Sequence, residues 1–342
     1  MVKLKTLRVC TLLLWSLLPL TAHSRTPRFI IKYKSSLKMQ SSVSLDSRIK
    51  SFFPRSKFKF KGLHSHGSFD VISAGRTLDP YEVTEVITEL KSNPLVKSVE
   101  EDLLLTAQLE PGEKSGAVDS YYEQQWSLFD SVGGANLPAA WDITTGKSEV
   151  VIAVLDTGIR SHQELVGKII PGMDMISDLK IGNDGDGRDS DASDPGDWVA
   201  YADGLGFKAN SSWHGTHVAG TIGANAGNST GIAGIMWQGK IQPVRVLGKG
   251  GGYTTDIADG IRWAAGLAVP GLSLNSTPAK IINLSLGGPG DCGSYMQEAI
   301  DAATAKGTII VVAAGNSNIS LDSQTNSPAS CKNVITVGAT GI

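Results

Sequence analysis

The sequence predicts an α/β protein in which a doubly wound parallel sheet is preceded by a small α+β unit. Three observations predict it. From about Tyr121 onward, apolar strand-like runs alternate with helix-like stretches, the pattern of βαβ units. The first such run, Glu149 to Leu155, is almost continuously apolar, as strands buried on both faces of a parallel sheet are. Ahead of it, residues 25–110 carry shorter strands and a well-marked helix, and the polar, glycine-containing stretch from Glu110 to Ser120 reads as a linker.

The chain begins with the features of an export segment. Lys3, Lys5 and Arg8 precede an apolar run from Val9 to Leu20, short for a bilayer span, and Ala22-His23-Ser24 fits a small-x-small cleavage site before Arg25. An uncleaved anchor is the alternative. The domain organisation expected is therefore an export segment (1–24), the α+β unit (25–110), a linker or processing region (111–120) and the α/β domain (121–342). A secreted, monomeric chain is expected, with no stable membrane association. Cys10 lies in the export segment, so Cys292 and Cys331 remain for a single disulfide in an oxidising compartment.

With 342 residues, 39 glycines and a net charge of only -2, the composition suits a globular protein with many tight turns and gives no nucleic-acid footprint. The charge is uneven. Residues 25–110 carry 14 Lys and Arg against 10 Asp and Glu, and residues 111–342 carry 14 against 23, so the two parts attract each other or present independent solvated surfaces.

Within the α+β unit, Arg28–Lys34 reads as a strand and Ser41–Phe53 as a helix. Phe58-Lys59-Phe60-Lys61 alternates with period two and reads as a half-buried strand. The next helix is marked by Asp79 as N-cap, Pro80 at its first position and Glu82 completing a capping box. Val83, Val86, Ile87 and Leu90 give it one apolar face, Asn93-Pro94 ends it, and Leu95–Asp102 follows as a strand running into an acidic tail. In the α/β domain the further strands expected are Ile241–Leu247, Lys280–Leu286, Thr308–Ala314 and Asn333–Val337. The helices are expected at Thr216–Ala226, Thr255–Ala268 and Tyr295–Lys306, the last stopped by Gly307. In such sheets functional residues gather at the carboxyl ends of the strands.

Four places carry candidate chemistry. Trp213-His214-Gly215-Thr216-His217 opens a helix of small residues, and a histidine at a helix start in a crevice is suited to general-base work. A packed histidine-rich helix start, or a metal pair with His217, are the alternatives. Asp156 follows directly on the strand 149–155, where a carboxylate can hold an imidazole in one tautomer; a turn-capping aspartate or the acid of a phosphate-handling enzyme would also sit there. Asn316 ends the strand Val311-Val312-Ala313-Ala314-Gly315, and its amide could donate to an oxyanion or be an ordinary loop asparagine. Asn283-Leu284-Ser285-Leu286-Gly287-Gly288 ends a strand with backbone groups suited to pairing with an extended peptide, and Gly250-Gly251-Gly252 either flanks its other side or is a flexible loop.

Asp156-Thr157-Gly158, His214-Gly215-Thr216-His217, Ser285-Leu286-Gly287-Gly288 and Ala313-Ala314-Gly315-Asn316 stand in the order of the subtilisin-like serine proteases, and the chain resembles their secreted bacterial members with an N-terminal inhibitor-type propeptide. The resemblance implies that Asp156 orients, His214 is the general base and Asn316 helps bind the oxyanion, with His217 structural. It implies that Ser285-Leu286-Gly287 and Gly250-Gly251-Gly252 clasp the backbone of a protein substrate. Residues 25–110 would then be a ferredoxin-like propeptide acting as folding chaperone and inhibitor in cis, its tail lying in the cleft.

Two departures from the family pattern stand out. The family's nucleophile sits in a Gly-Thr-Ser-Met-Ala type segment, and these 342 residues hold none. The expectation is an N-terminal part of a protease, inactive as it stands, with a catalytically dead binding protein as the alternative. The second is an insertion, Asn183 to Asp197, in which Asp184, Asp186, Asp189, Asp191 and Asp194 alternate with small residues in the manner of calcium loops, though without the terminal glutamate of an EF-hand. Calcium bound by these acids is the expectation, a solvated acidic loop the alternative. Cys292 and Cys331 are expected to pair beside the substrate edge.

Overall fold

The computed structural model describes residues 26–34, 44–54, 56–107, 119–318 and 320–341. The export segment (1–24) and residues 108–118 of the linker region lie outside the described residues.

The N-terminal unit is a four-stranded antiparallel sheet in the order β2-β3-β1-β4, built from β1 (Arg28–Tyr33), β2 (Lys61–His66), β3 (Phe69–Ser73) and β4 (Val96–Glu101). Helices α1 (Leu45–Phe52) and α2 (Pro80–Lys91) pack on it around Phe29, Ile31, Ile49, Ile72, Val86 and Leu90. The capping box of α2 forms as its sequence requires: Asp79 Oδ1 accepts the Glu82 N–H and Glu82 Oε2 accepts the Asp79 N–H. The strand expected at 58–61 is displaced to Lys61–His66. The alternating Phe58 and Phe60 rings pack against each other, and Phe60 against Phe53, in the connection instead. The true strand, Lys-Gly-Leu-His-Ser-His, pairs only with β3 and so carries little of the apolar alternation that marks a central strand.

The larger part is wound on a six-stranded parallel sheet in the order β14-β12-β10-β6-β8-β7. In chain order the elements after β4 are β5 (Leu104–Ala107), the short helices α3 (Trp126–Phe129) and α4 (Leu137–Trp141), β6 (Val151–Asp156), β7 (Met173–Asp174), the turn α5 (Leu179–Gly182), α6 (His214–Gly223), β8 (Lys240–Arg245), β9 (Gly252–Tyr253) and α7 (Thr254–Ala264). They continue with β10 (Ile281–Leu284), β11 (Leu286–Pro289), α8 (Ser294–Ala305), β12 (Ile309–Ala313), β13 (Asn326–Ser327) and β14 (Ile335–Val337). Strand β6 shows the double winding: Ala153 and Leu155 join the core of Ile257, Ile261 and Ile300 from α7 and α8, whereas Val154 joins Ala219 of α6 on the opposite face. The run expected as one strand over 280–286 divides at Ser285, β10 staying in the parallel sheet and β11 leaving it for a separate antiparallel ladder. A disulfide joins Cys292, ahead of α8, to Cys331, ahead of β14.

The end of the N-terminal unit supplies what two buried helices lack. Neither α7 nor α8 has a side-chain cap of its own. Asp102 accepts the Thr255 N–H at 2.9 Å, and the carboxylate of Glu100 accepts the N–H groups of Ser294 at 2.7 Å and Tyr295 at 3.0 Å. Carboxylates at helix starts satisfy orphan donors and oppose the helix dipole. The acidic tail at 100–102 is thus a pair of caps. The attraction anticipated from net charge is represented across the same boundary by the Lys32–Glu298 ion pair.

Candidate active site

Asp156 is the last residue of β6, wholly buried, and His214 the first of α6. The imidazole Nδ1 lies 2.8 Å from Asp156 Oδ1 and 2.9 Å from Oδ2. A neutral ring that donates from Nδ1 to a carboxylate presents Nε2 as the acceptor, the tautomer a general base needs. The two elements can come this close because residue 215 is glycine: a methyl group there would strike the Gly158 carbonyl oxygen. His214 is 6% exposed and lines a crevice of about 470 Å³ with Ser285 and Asn316, which come from the ends of β10 and β12. Three sequence-expected groups, an acid, an imidazole and an amide, thus meet at the carboxyl edge of the sheet. His217 lines the same crevice one turn further along α6.

The expected edges also come together, around a strand of the chain itself. β5 is the central strand of an antiparallel ladder in which Leu104 and Leu105 pair with Tyr253 and Gly252 of β9, and Ala107 and Thr106 pair with Leu286 and Gly287 of β11. Of the three glycines, Gly252 belongs to β9, whereas Gly250 and Gly251 form the turn before it. Gly251 has φ +120°, and a side chain there would also strike the Leu105 carbonyl oxygen. Leu104 packs on Ile176, Ile181 and Tyr253, and Leu105 is fully buried against the main core.

The five acids expected to gather around calcium do not form one shell. Each of four carboxylates accepts the N–H two residues on: Asp184 from Asp186, Asp189 from Asp191, Asp191 from Ser193 and Asp194 from Gly196. The alternation of aspartates is a run of Asx turns. The positive charge nearest Asp184 is the Arg245 guanidinium, which also pairs with Asp174. Burial pushes the Asp174 carboxyl up to about 7 in spite of that neighbour. Among the described residues no group of three or more His, Cys, Asp or Glu side chains is gathered to hold a metal ion.

Two residues brace the site in a way the sequence did not indicate: Thr157, quoted only within the Asp156-Thr157-Gly158 motif, and Asp194, expected only as a calcium ligand. Thr157 donates its N–H to Asp156 Oδ1 at 2.8 Å and its hydroxyl to Asp194 Oδ2 at 2.7 Å, and accepts the Gly215 N–H at 3.0 Å. Their only signal was position: Thr157 adjoins Asp156, and Asp194 sits in an insertion that invited another explanation.

Residues 147–341 match the Subtilase family. The chain is 44% identical over 325 residues to an extracellular protease of Xanthomonas campestris pv. campestris, covering 92% of this chain and 54% of that protein. It thus spans about half the length of the curated relatives it matches. Among solved structures, a protease of Pseudoalteromonas arctica superposes with a TM-score of 0.62 at 52% identity, over 65% of each chain. Fervidolysin from Fervidobacterium pennivorans, at 21% identity, shares the fold with a TM-score of 0.59 over 92% of this chain and 43% of its own. Ordered motifs, sheet topology and the coverage of the family match agree, and the chain belongs to the subtilase family of subtilisin-like proteases.

Proposed function

We propose that these residues are the N-terminal part of a secreted serine endopeptidase precursor that cleaves extended protein substrates. The observation that carries the reading is the Asp156–His214 hydrogen bond, in a chain whose strands β9 and β11 already pair with an extended strand between them. In this reading His214 Nε2 takes the proton of a serine hydroxyl as it attacks the scissile carbonyl, Asp156 stabilises the imidazolium, and the Asn316 amide donates to the oxyanion. His214 then returns the proton to the leaving amine. The unit at 25–110 acts as an inhibitory propeptide, with β5 in the position of a bound substrate strand.

The serine of this reading is contributed by sequence beyond these 342 residues, in keeping with the half-length match to relatives. A structural feature supports a further element there. On the α6 side of the sheet, Ile309, Ile335 and Val337 remain 50–54% exposed, beside the crevice lined by Val311 and Ala313. Parallel sheets bury both faces, so this apolar strip calls for cover. The test is expression of the full natural reading frame, alone and with His214→Ala. Hydrolysis of a protein substrate that disappears in the variant supports the proposal. A secreted, folded wild type that binds peptides without cutting them overturns it.

A further inference from the structure

We propose that Thr157 and Asp194 are a positioning pair for the Asp156–His214 couple, Asp194 aiming the Thr157 hydroxyl so that it caps the helix carrying His214. The inference rests on the functional reading of Asp156 and His214 given above.

The helix needs such a cap. α6 starts behind Trp213, which stands in the left-handed region with φ 52° and offers no capping side chain. The first N–H groups of a helix have no partner within it. That of His214 goes to Ser212 Oγ at 3.3 Å, and that of Gly215 to Thr157 Oγ1 at 3.0 Å. The cap for Gly215 is thus drawn from a different element, and from the residue next to Asp156.

A hydroxyl has one proton to give and lone pairs to receive. Thr157 gives its proton to Asp194 Oδ2 at 2.7 Å, which leaves its lone pairs for the Gly215 N–H. Asp194 is itself held: its other oxygen accepts the Gly196 N–H at 2.8 Å, and its own N–H donates to the Ile159 carbonyl at 3.0 Å. Thr157 and Asp194 are each 2% exposed, so water does not compete for the hydroxyl. Thr157 therefore grips both partners at once, Asp156 through its backbone N–H and the histidine helix through its side chain. Asn in place of Asp194 offers that hydroxyl a donor as readily as an acceptor, and Val in place of Thr157 removes the cap outright.

The experiment uses the full natural protein and four variants: Thr157→Val, Thr157→Ser, Asp194→Asn and His214→Ala. Misplacement of a catalytic group by about 1 Å costs on the order of 10²-fold. We expect Thr157→Val and Asp194→Asn to lower kcat by roughly 10- to 100-fold with KM changed by less than about threefold, and Thr157→Ser to keep most of the wild-type rate. The downfield proton resonance of the His214 Nδ1–H, seen by NMR, is expected to broaden or move in the first two and to persist in the serine variant. Wild-type kcat and an unmoved resonance in both Thr157→Val and Asp194→Asn overturn the inference. So does a serine variant as impaired as the valine one, since that assigns the effect to the lost methyl group. Where Thr157→Val does not accumulate, the near-isosteric Asp194→Asn decides. If the wild type is inactive and His214→Ala equals it, the functional reading fails; if only His214→Ala is dead, the reading stands and the positioning pair falls.

Discussion

At the scale of single residues, the site divides into groups that chemistry exposes and groups that geometry hides. Asp156, His214 and Asn316 stand out in the sequence because each is a polar residue at the end of an apolar strand or the start of a helix of small residues, a place where packing alone gives no use for it. Their expected contributions follow. Asn316→Ala should leave folding intact and lower kcat of the full enzyme by about 10²–10³-fold, the loss found when subtilisin's own oxyanion-hole asparagine is removed. Progress curves on a peptide substrate, with KM near wild type, check it. Asp156→Asn should keep the shape of the site but free the ring to take the other tautomer, and the loss of rate should be larger than that of Asn316→Ala. Thr157 and Asp194 were not legible as partners because 37 residues separate them and only folding brings the hydroxyl to the carboxylate. The aspartates at 184, 189, 191 and 194 are ambiguous in the sequence for a physical reason. Short acids spaced through a tight loop satisfy their own backbone as readily as they satisfy a cation, and sequence spacing does not distinguish the two.

At the scale of elements, the capping box of α2 and the double-faced apolar run of β6 were readable because their signals are local. The division of 280–286 into β10 and β11 was not, since both pieces look like one apolar run and the break depends on a partner strand, β5, nearly 180 residues earlier. The starts of α6, α7 and α8 were misplaced by one or two residues for a related reason: none carries its own capping side chain, so nothing in the local sequence marks the boundary. Borrowed caps make a testable claim about how the N-terminal unit is held. Glu100→Ala should remove the acceptor for two N–H groups of α8 and weaken docking of the unit by about 1–2 kcal/mol, roughly 5- to 30-fold in the docking constant. Asp102→Ala should cost more, about 3–5 kcal/mol, because it strands the buried Arg28 guanidinium that lies 2.8 Å from the carboxylate. Hydrogen exchange at the Thr255 and Ser294 amides checks both: each variant should speed exchange at its own helix start first. Equal protection in wild type and variants would mean that water or another acceptor serves as the cap.

At the scale of the whole molecule, the boundary between the two units is also a titrating surface. His64 of β2 lies at that boundary with Nε2 3.7 Å from Asp259 Oδ2, among Arg188, Asp256 and Arg28, and His66 two residues on lies edge-on to Tyr295 of α8. Burial first, and the Arg188 guanidinium second, hold the His64 imidazole down to about 4 against the pull of Asp259 and Asp256. Burial lowers His66 as well, with Arg262 adding to it. A released unit would return His64 to about 6.5. The docked state therefore binds this proton more weakly than the released state. The docking contribution of His64 is complete above about pH 6.5, is lost progressively as pH falls towards 4, and changes no further below that. Between about pH 7.5 and pH 5 the docking constant should fall by up to about 30-fold from His64 alone, less to the extent that water reaches the ring, and His66 adds in the same sense. Asp102 opposes them, since burial raises its carboxyl and its protonation therefore favours the docked state as pH falls. The informative comparison is therefore wild type against His64→Gln, which cannot take the proton. Anisotropy of a labelled N-terminal unit on the processed protein should show the acid-dependent loosening in the wild type and a much flatter response in the variant. Parallel pH profiles for the two would overturn the assignment of the acid sensitivity to His64.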